Sequence, residues 1–281
     1  MSVINTNINA LFAQNALQVN ARSLSSAMQQ LSTGSRINSA KDDAAGLAIA
    51  DTMTAQIRGL NMAVKNGNDA ISLLQTAEGA MAQQTAMLQR MREIAVQASS
   101  DSTSDTNKGY LNTEFTSLRS QIDQIGSKTQ WNGANVLDAT GGTGTTGTYV
   151  FQVGSASGVT ISVSIGSMST TATTGALSAI TASSISTSTA STSAIANIDL
   201  SLGVLASARS TLGAGINRLT YAVDNITNVA QNATEGRSRI LDTDYATASS
   251  QLAKAQIIQQ AATAMLAQAN QQPQTVLALL K

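Results

Sequence analysis

The sequence predicts a mainly α protein in which long helices form a coiled-coil-like bundle, interrupted by a small β-hairpin region. Three patterns point there. Apolar residues recur at alternating spacings of three and four through internal segments, both ends are helix-compatible yet nearly free of charge, and after Leu137 apolar residues alternate with others. With 281 residues, 42% hydrophobic but only 3% aromatic, the chain suffices for one or two domains with an aliphatic core.

The N-terminal end carries only Arg22 and Arg36 between Met1 and Ala40, while Leu17, Ala21, Leu24, Met28 and Leu31 repeat at helical spacing. A helix on the surface of a soluble monomer normally keeps a solvated charged face, so this segment is built to be covered. Ser39 to Asp43 then supplies helix-start acceptors and acidic first-turn residues.

A first heptad segment follows, with Ala50, Met53, Ile57, Leu60, Val64, Gly67, Ile71 and Leu74, continuing less cleanly through Met81 and Leu88. After a polar break at Ser99 to Asn107, a shorter one contains Leu111, Phe115, Leu118, Ile122 and Ile125. Asn132-Gly133 is a turn signal. Tyr149, Phe151 and Val153, then Val159, Ile161, Val163 and Ile165, alternate on either side of Gly154 to Gly158 and predict a hairpin with one buried face. Gly166 to Ala194 is dominated by Ser, Thr and Ala and reads as an exposed, loosely folded excursion.

The third heptad segment is the longest: Ile195, Ile198, Leu202, Leu205, Leu212, Ile216, Leu219, Val223, Ile226, Ala230 and Ala233, with Arg209 as its one break. Beyond it, Thr243 to Lys281 carries only Asp244, Lys254 and Lys281. Ala248, Leu252, Ala255, Ile258, Ala262, Met265 and Ala269 form its apolar stripe, within one slip. The amides of Gln256, Gln259, Gln260, Gln268, Asn270, Gln271 and Gln272 can hydrogen-bond without charge in a crowded interface. Ordering a residue costs roughly 1.5 kcal/mol, so two thin stripes paired only with each other are marginal. Both ends are therefore expected to be loose in a monomer and to fold on polymerisation.

Composition excludes much chemistry. Without Cys or His there is no disulfide, thiol nucleophile, imidazole base or conventional zinc or haem site. Lys plus Arg and Asp plus Glu balance at 16 each, which gives no basis for nucleic acid as a partner. No apolar run reaches bilayer-spanning length, so no membrane insertion is expected. The first residues also lack the pattern of a cleaved secretory signal. Gly142 to Gly147 matches G-x-G-x-x-G, but a strand follows where phosphate binding needs a helix. Asp42 and Asp43 are adjacent on a helix start, where side chains do not face each other as an acid/base pair would. Asn225-Ile-Thr227 and Asn232-Ala-Thr234 match the glycosylation pattern by chance, on the third heptad helix. No cofactor and no catalytic residue is assigned.

Longer motifs carry a resemblance. Ile4 to Ala10, Leu31 to Gly46 and Leu88 to Gln97 closely resemble the N-terminal part of bacterial flagellin. Arg237 to Ala246, Lys254 to Gln260 and Leu266 to Asn270 resemble its C-terminal part. The resemblance covers about the first 140 and the last 85 residues, in the family's order.

The resemblance implies a structural, non-enzymatic subunit of the extracellular flagellar filament, with terminal helices pairing as the filament core. It assigns residues 1–41 and 239–281 to that core, 42–135 and 195–238 to the heptad bundle, and 136–194 to the hairpin and Ser/Thr-rich surface excursion. Assembly-core residues are then Leu17, Leu24, Met28, Leu31, Leu252, Ile258, Met265 and Leu266. Gln89, Arg90, Glu93, Ile94 and Glu114 match positions of host-receptor and inter-subunit contact, with Arg92 in the same motif. By the same resemblance the hairpin takes part in a switch between protofilament states, and the interval before the third helix is too short for a large outer domain. Implied partners are other copies of the chain, the cap and hook-filament junction proteins, an export chaperone, the flagellar type III export apparatus and the host innate-immune flagellin receptor. Export through that channel requires no cleaved leader. A hook-filament junction protein would share these ends. A secreted hydrolase or ligand-binding surface protein would need a convergent site that the sequence does not display.

Overall fold

The computed structural model describes residues 6–142, 147–170, 175 and 177–278, except for the side chains of 272–278. Ile4, Asn5, the interior of the glycine motif (143–146), parts of the Ser/Thr-rich tract (171–174 and 176), the Gln272 side chain and Lys281 thus lie outside the described residues.

The described elements are α1 (Ile8–Thr33), α2 (Ala44–Ser99), α3 (Asp105–Lys128), β1 (Gln130–Trp131), β2 (Ala134–Asn135), β3 (Thr148–Gln152), β4 (Thr160–Ser164), a 3-10 turn at Ser178–Ile180, α4 (Ser188–Leu241) and α5 (Tyr245–Ala278). Helices dominate, as the heptad pattern requires, and the strands pair only as two antiparallel two-stranded ribbons. The chain forms two compact units, Met1–Ala55 with Asn232–Lys281, and Gln56–Gln231. This division falls inside α2 and α4, not at the boundaries expected near residues 41 and 239.

In the unit Gln56–Gln231, α2, α3 and α4 supply the helical core. The α2 seam runs through Leu60, Ala63, Gly67, Ala70, Leu74, Ala77, Met81, Gln84, Leu88, Met91, Ala95 and Ala98, all buried at spacings of three and four. Its heptad rhythm fades to the eye after Leu74 because alanines and Gln84 occupy seam positions where a hydrophobic pattern looks for Leu or Ile. Phe115 and Ile122 of α3 and Ile198, Leu205, Leu212, Leu219 and Ile226 of α4 complete it. Helix α4 starts seven residues before Ile195, where Thr187 Oγ1 accepts from the Ala190 N–H at 3.2 Å. Ala208 packs against the core one residue before Arg209, which reaches Glu78 at 3.7 Å.

The Asn132-Gly133 signal becomes a two-residue turn between β1 and β2, with φ of 48° and 80°. Positive φ at both positions matches the strand twist, which is why Asn-Gly suits the site. In the second ribbon Tyr149 lies opposite Val163 and Phe151 opposite Ile161, and their alternation gives the ribbon its inner face. Val159 is the exception to that alternation: it is exposed and precedes β4. Gly215 of α4 makes the seat, since a Cβ there would stand 2.9 Å from a Val163 methyl.

The Ser/Thr-rich tract differs from expectation. Met168, Leu177, Ile180 and Ile185 are buried in the core, so the described part of this tract is a packed strap and not a loose surface excursion. Side chains of α2 and α3 tie it down. Gln84 Nε2 donates to Met168 O at 3.1 Å, Asp123 Oδ1 accepts from Thr170 N at 3.1 Å and Ser169 Oγ at 2.7 Å, and Asn112 Oδ1 accepts from Ile185 N at 3.1 Å. Arg119 adds a bond to Thr181 O at 2.6 Å. Composition alone conceals this, because the strap's few apolar residues are spaced irregularly among hydroxyls whose backbone is satisfied from outside.

In the other unit, Asp43 starts α2 by accepting from Gly46 N at 2.9 Å, while Asp42 accepts from both N–H and Oγ of Ser39 at 3.0 and 2.9 Å. These carboxylates serve the helix start. Gly34 ends α1 in the left-handed region at φ 71° and accepts from Thr243 N at 2.9 Å. Arg36 Nη2 donates to Ile240 O at 2.7 Å, placing a cation at the negative end of α4. These bonds join the start of α5 to the end of α1.

Candidate functional site

From that joint α1 and α5 run antiparallel, as two side-chain bonds show: Asn20 Nδ2 donates to Ala255 O at 2.8 Å and Asn7 Nδ2 to Ala269 O at 2.7 Å. Ala13, Leu17, Asn20, Leu24, Ala27 and Leu31 make the α1 side of the seam. Ala248, Leu252, Ala255, Ala262, Leu266 and Ala269 make the α5 side. The register of the two bonds sets Ala27 level with Ala248 and Asn20 with Ala255, so small side chains bring the helices close. A buried amide at a seam position satisfies its hydrogen bonds in one alignment, and Asn20 thereby fixes the register.

Among the assembly-core residues, Leu17, Leu24, Leu31, Leu252 and Leu266 lie in this seam, half-buried. Met28, Ile258 and Met265 lie outside it, exposed. The apolar stripes read from the sequence ran through Met28 in place of Ala27 and through Met265 in place of Leu266, although Leu266 stands among the assembly-core residues, because a bulky apolar residue one position away disguises which face is covered. Sequence reasoning also passed over Ile8, Phe12, Val19 and Ile257, all exposed. Their signal was available: Ile8, Phe12 and Val19 are four and seven residues apart, a second apolar stripe on α1 beside the seam. Phe12 and Met265 border an open notch of about 560 Å³ whose lining includes Ala13, Ala16, Ala262 and Ala269. Apolar side chains left exposed together on charge-poor helices favour association.

The second candidate surface lies on α2 and α3. Arg90 Nε and Nη2 donate to Glu114 Oε1 at 3.1 and 3.0 Å, and Nη1 donates to Glu93 Oε2 at 3.0 Å. The two carboxylates hold the guanidinium pKa above its usual value, Glu93 through its hydrogen bond first and Glu114 next. Gln89 and Glu93 line a shallow depression with Arg92 and Val96. Arg92 in turn pairs with Asp199 of α4 at 2.7 Å, a partner absent from the sequence motif. Ile94 is not part of this surface; it is buried in the bundle core. Thus Gln89, Arg90, Glu93 and Glu114 converge, and Ile94 supports them from beneath.

Neither surface gathers reactive groups. Among the described residues no three His, Cys, Asp or Glu side chains cluster as metal ligands, and no helix is long and apolar enough to cross a membrane. The arrangement offers recognition and packing.

Comparison with known proteins agrees across the whole chain. Residues 4–141 match the bacterial flagellin N-terminal helical region and residues 195–280 the bacterial flagellin C-terminal helical region. The chain is 43% identical to the flagellin of Halalkalibacterium halodurans over 279 residues, covering 99% of this chain and 100% of that one. With the flagellin of Bacillus subtilis it shares 40% identity over 302 residues, covering 99% of each. The flagellar filament 33 kDa core protein of Treponema phagedenis is 38% identical over 285 residues, covering 99% of this chain and 100% of that protein. Among solved structures, that of Bacillus cereus flagellin superposes with a TM-score of 0.50 at 27% identity, covering 58% of this chain and 88% of its own. A putative flagellar hook-associated protein of Vibrio parahaemolyticus gives 0.62 at 16% identity, over 72% of this chain and 100% of its own, a likeness of fold alone. Helical ends that pair through a small-residue seam, an exposed apolar stripe beside it, and relatives matched from end to end lead to one assignment: the chain belongs to the bacterial flagellin family.

Proposed function

We propose that this flagellin is a structural subunit whose copies polymerise into the flagellar filament used for swimming, with the α1–α5 pair as the filament's inner core. The observation that carries this is the apolar face left uncovered on that pair: Ile8, Phe12 and Val19 on α1, with Ile257 and Met265 on α5. In water that face is unfavourable, and burying one large aliphatic or aromatic side chain contributes about 1.5–3 kcal/mol. Other copies of the chain, each with the same face, cover it. Leu17, Leu24, Leu31, Leu252 and Leu266 hold the pair together within a subunit, while Met28, Ile258 and Met265 meet neighbouring copies.

Arg90, Glu93, Glu114 and Gln89 form a contact surface used between subunits and, in the free subunit, by the host innate-immune flagellin receptor. Their convergence on one exposed patch supports this role. The further partners belong to the same reading: a type III export apparatus, a chaperone that covers α5 before export, and cap and junction proteins at the filament ends. The filament is extracellular. A junction-protein role is not favoured, because full-length relatives at 40–43% identity are flagellins.

The test is seeded polymerisation of purified monomer followed by electron microscopy, alongside a version lacking residues 1–40. Intact protein yields long filaments and the truncated version none. Filaments of equal length from both would reject the terminal pair as the core.

A further inference from the structure

We infer that Met28 and Met265 form a redox-sensitive control on assembly: oxidation of their thioethers in the free subunit blocks polymerisation, and incorporation into a filament protects them. The inference rests on the proposed filament role. The chain has no cysteine, so methionine sulfur is its only soft two-electron reductant. Burial then spreads the described methionines between two extremes, with Met53 and Met87 half-buried. Met81, Met91 and Met168 are at most 2% exposed inside the bundle, whereas Met28 and Met265 are 56% and 65% exposed on the terminal pair. Both sit just outside the α1–α5 seam, on surface that another copy would cover, and Met265 borders the notch beside Phe12.

The chemistry is an oxygen transfer. The sulfur lone pair attacks a peroxide oxygen, the O–O bond breaks, and hydrogen peroxide leaves as water while the thioether becomes a sulfoxide. A flexible apolar side chain is thereby converted to a polar, chiral one that suits a packed interface poorly. Enclosing the new oxygen without a donor opposes assembly by about tenfold in the critical concentration for growth. A thiol-dependent reductase restores the thioether, which makes the control reversible.

Met62 supplies an internal reference, since it is 55% exposed on α2 and lies outside the terminal pair. The experiment treats monomer with hydrogen peroxide, maps oxygen gain by peptide mass spectrometry, and measures the critical concentration by sedimentation. Three proteins are compared: wild type, M28L/M265L and M62L. Leucine keeps the volume and removes the sulfur. The expected result is oxygen at Met28, Met62 and Met265 but not at Met81, Met91 or Met168, with a rise of about tenfold in critical concentration for wild type and M62L and none for M28L/M265L. Oxidised wild type that polymerises like untreated protein, or a double variant that is inhibited equally, overturns the inference while the filament role stands. Untreated protein that never polymerises overturns both.

Discussion

Replacing Phe12 by serine separates folding of the subunit from its assembly. The ring is 71% exposed on α1, so the folded subunit gains little from it and F12S should alter monomer stability by no more than about 0.5 kcal/mol. In a filament the remaining exposed surface would be covered. Since full burial of a Phe is worth about 1.5–3 kcal/mol, the portion still exposed corresponds to about 1–2 kcal/mol per subunit added. That converts to a rise of about 5- to 30-fold in critical concentration. Thermal melting by circular dichroism measures the first quantity, and pelleting of seeded polymer over a dilution series measures the second. An unchanged critical concentration would show that the exposed stripe of α1 is not an inter-subunit surface. A melting temperature lowered by many degrees with unaltered assembly would invert the assignment, making Phe12 part of the monomer's own core.

Four other substitutions probe different parts of the molecule. In R90A the lost ion pairs involve side chains 45–68% exposed and screened by water, so stability should change little, while seeded growth and receptor signalling both drop; normal values for both would remove Arg90 from the contact surface. Two glycines of α4 should respond in opposite directions to alanine. At Gly213 a Cβ meets nothing within 4 Å, so G213A gains up to about 1 kcal/mol of helix propensity. G215A collides with Val163 and should lose about 1 kcal/mol net, since overpacking costs about 1–3 kcal/mol; denaturant titrations shifting the same way for both would dismiss the hairpin seat. Asp244 governs a pH response at the joint. Thr247 Oγ1 and the Ala246 N–H donate to its carboxylate and hold its pKa below the ordinary value. Its contribution is therefore complete above the unfolded-state value, about 3.9, and is lost as the pH falls through the lower folded-state value. An acid titration followed by circular dichroism should show this loss in wild type and a flatter profile in D244N, and superimposable profiles would exclude Asp244.

The sequence by itself determined the helical class, the starting points of α2 and the β1–β2 turn, and the family. These are local or pattern-borne properties: Asp43 caps with its own side chain, Asn132-Gly133 adopts positive φ without help, and seam spacing follows from helix geometry. Charge-poor ends likewise declared that something must cover them. What the tertiary structure alone decided is which face is covered and by what. Asn20 and Ala27, not Met28, line the α1–α5 seam because close approach of two helices selects small side chains and a matched amide. Met168, Leu177, Ile180 and Ile185 of the strap entered the core where Gln84, Asn112 and Asp123, distant in sequence, satisfy the backbone of its described parts. Ile94 parted from Glu93 because adjacent side chains point about 100° apart round the helix, and from Arg90, one turn back on nearly the same face, because the long arginine reaches out to Glu114 while the shorter isoleucine packs into the core. Periodicity fixes the angle between side chains on a helix, but only the partners in space assign that angle to core, seam or open surface.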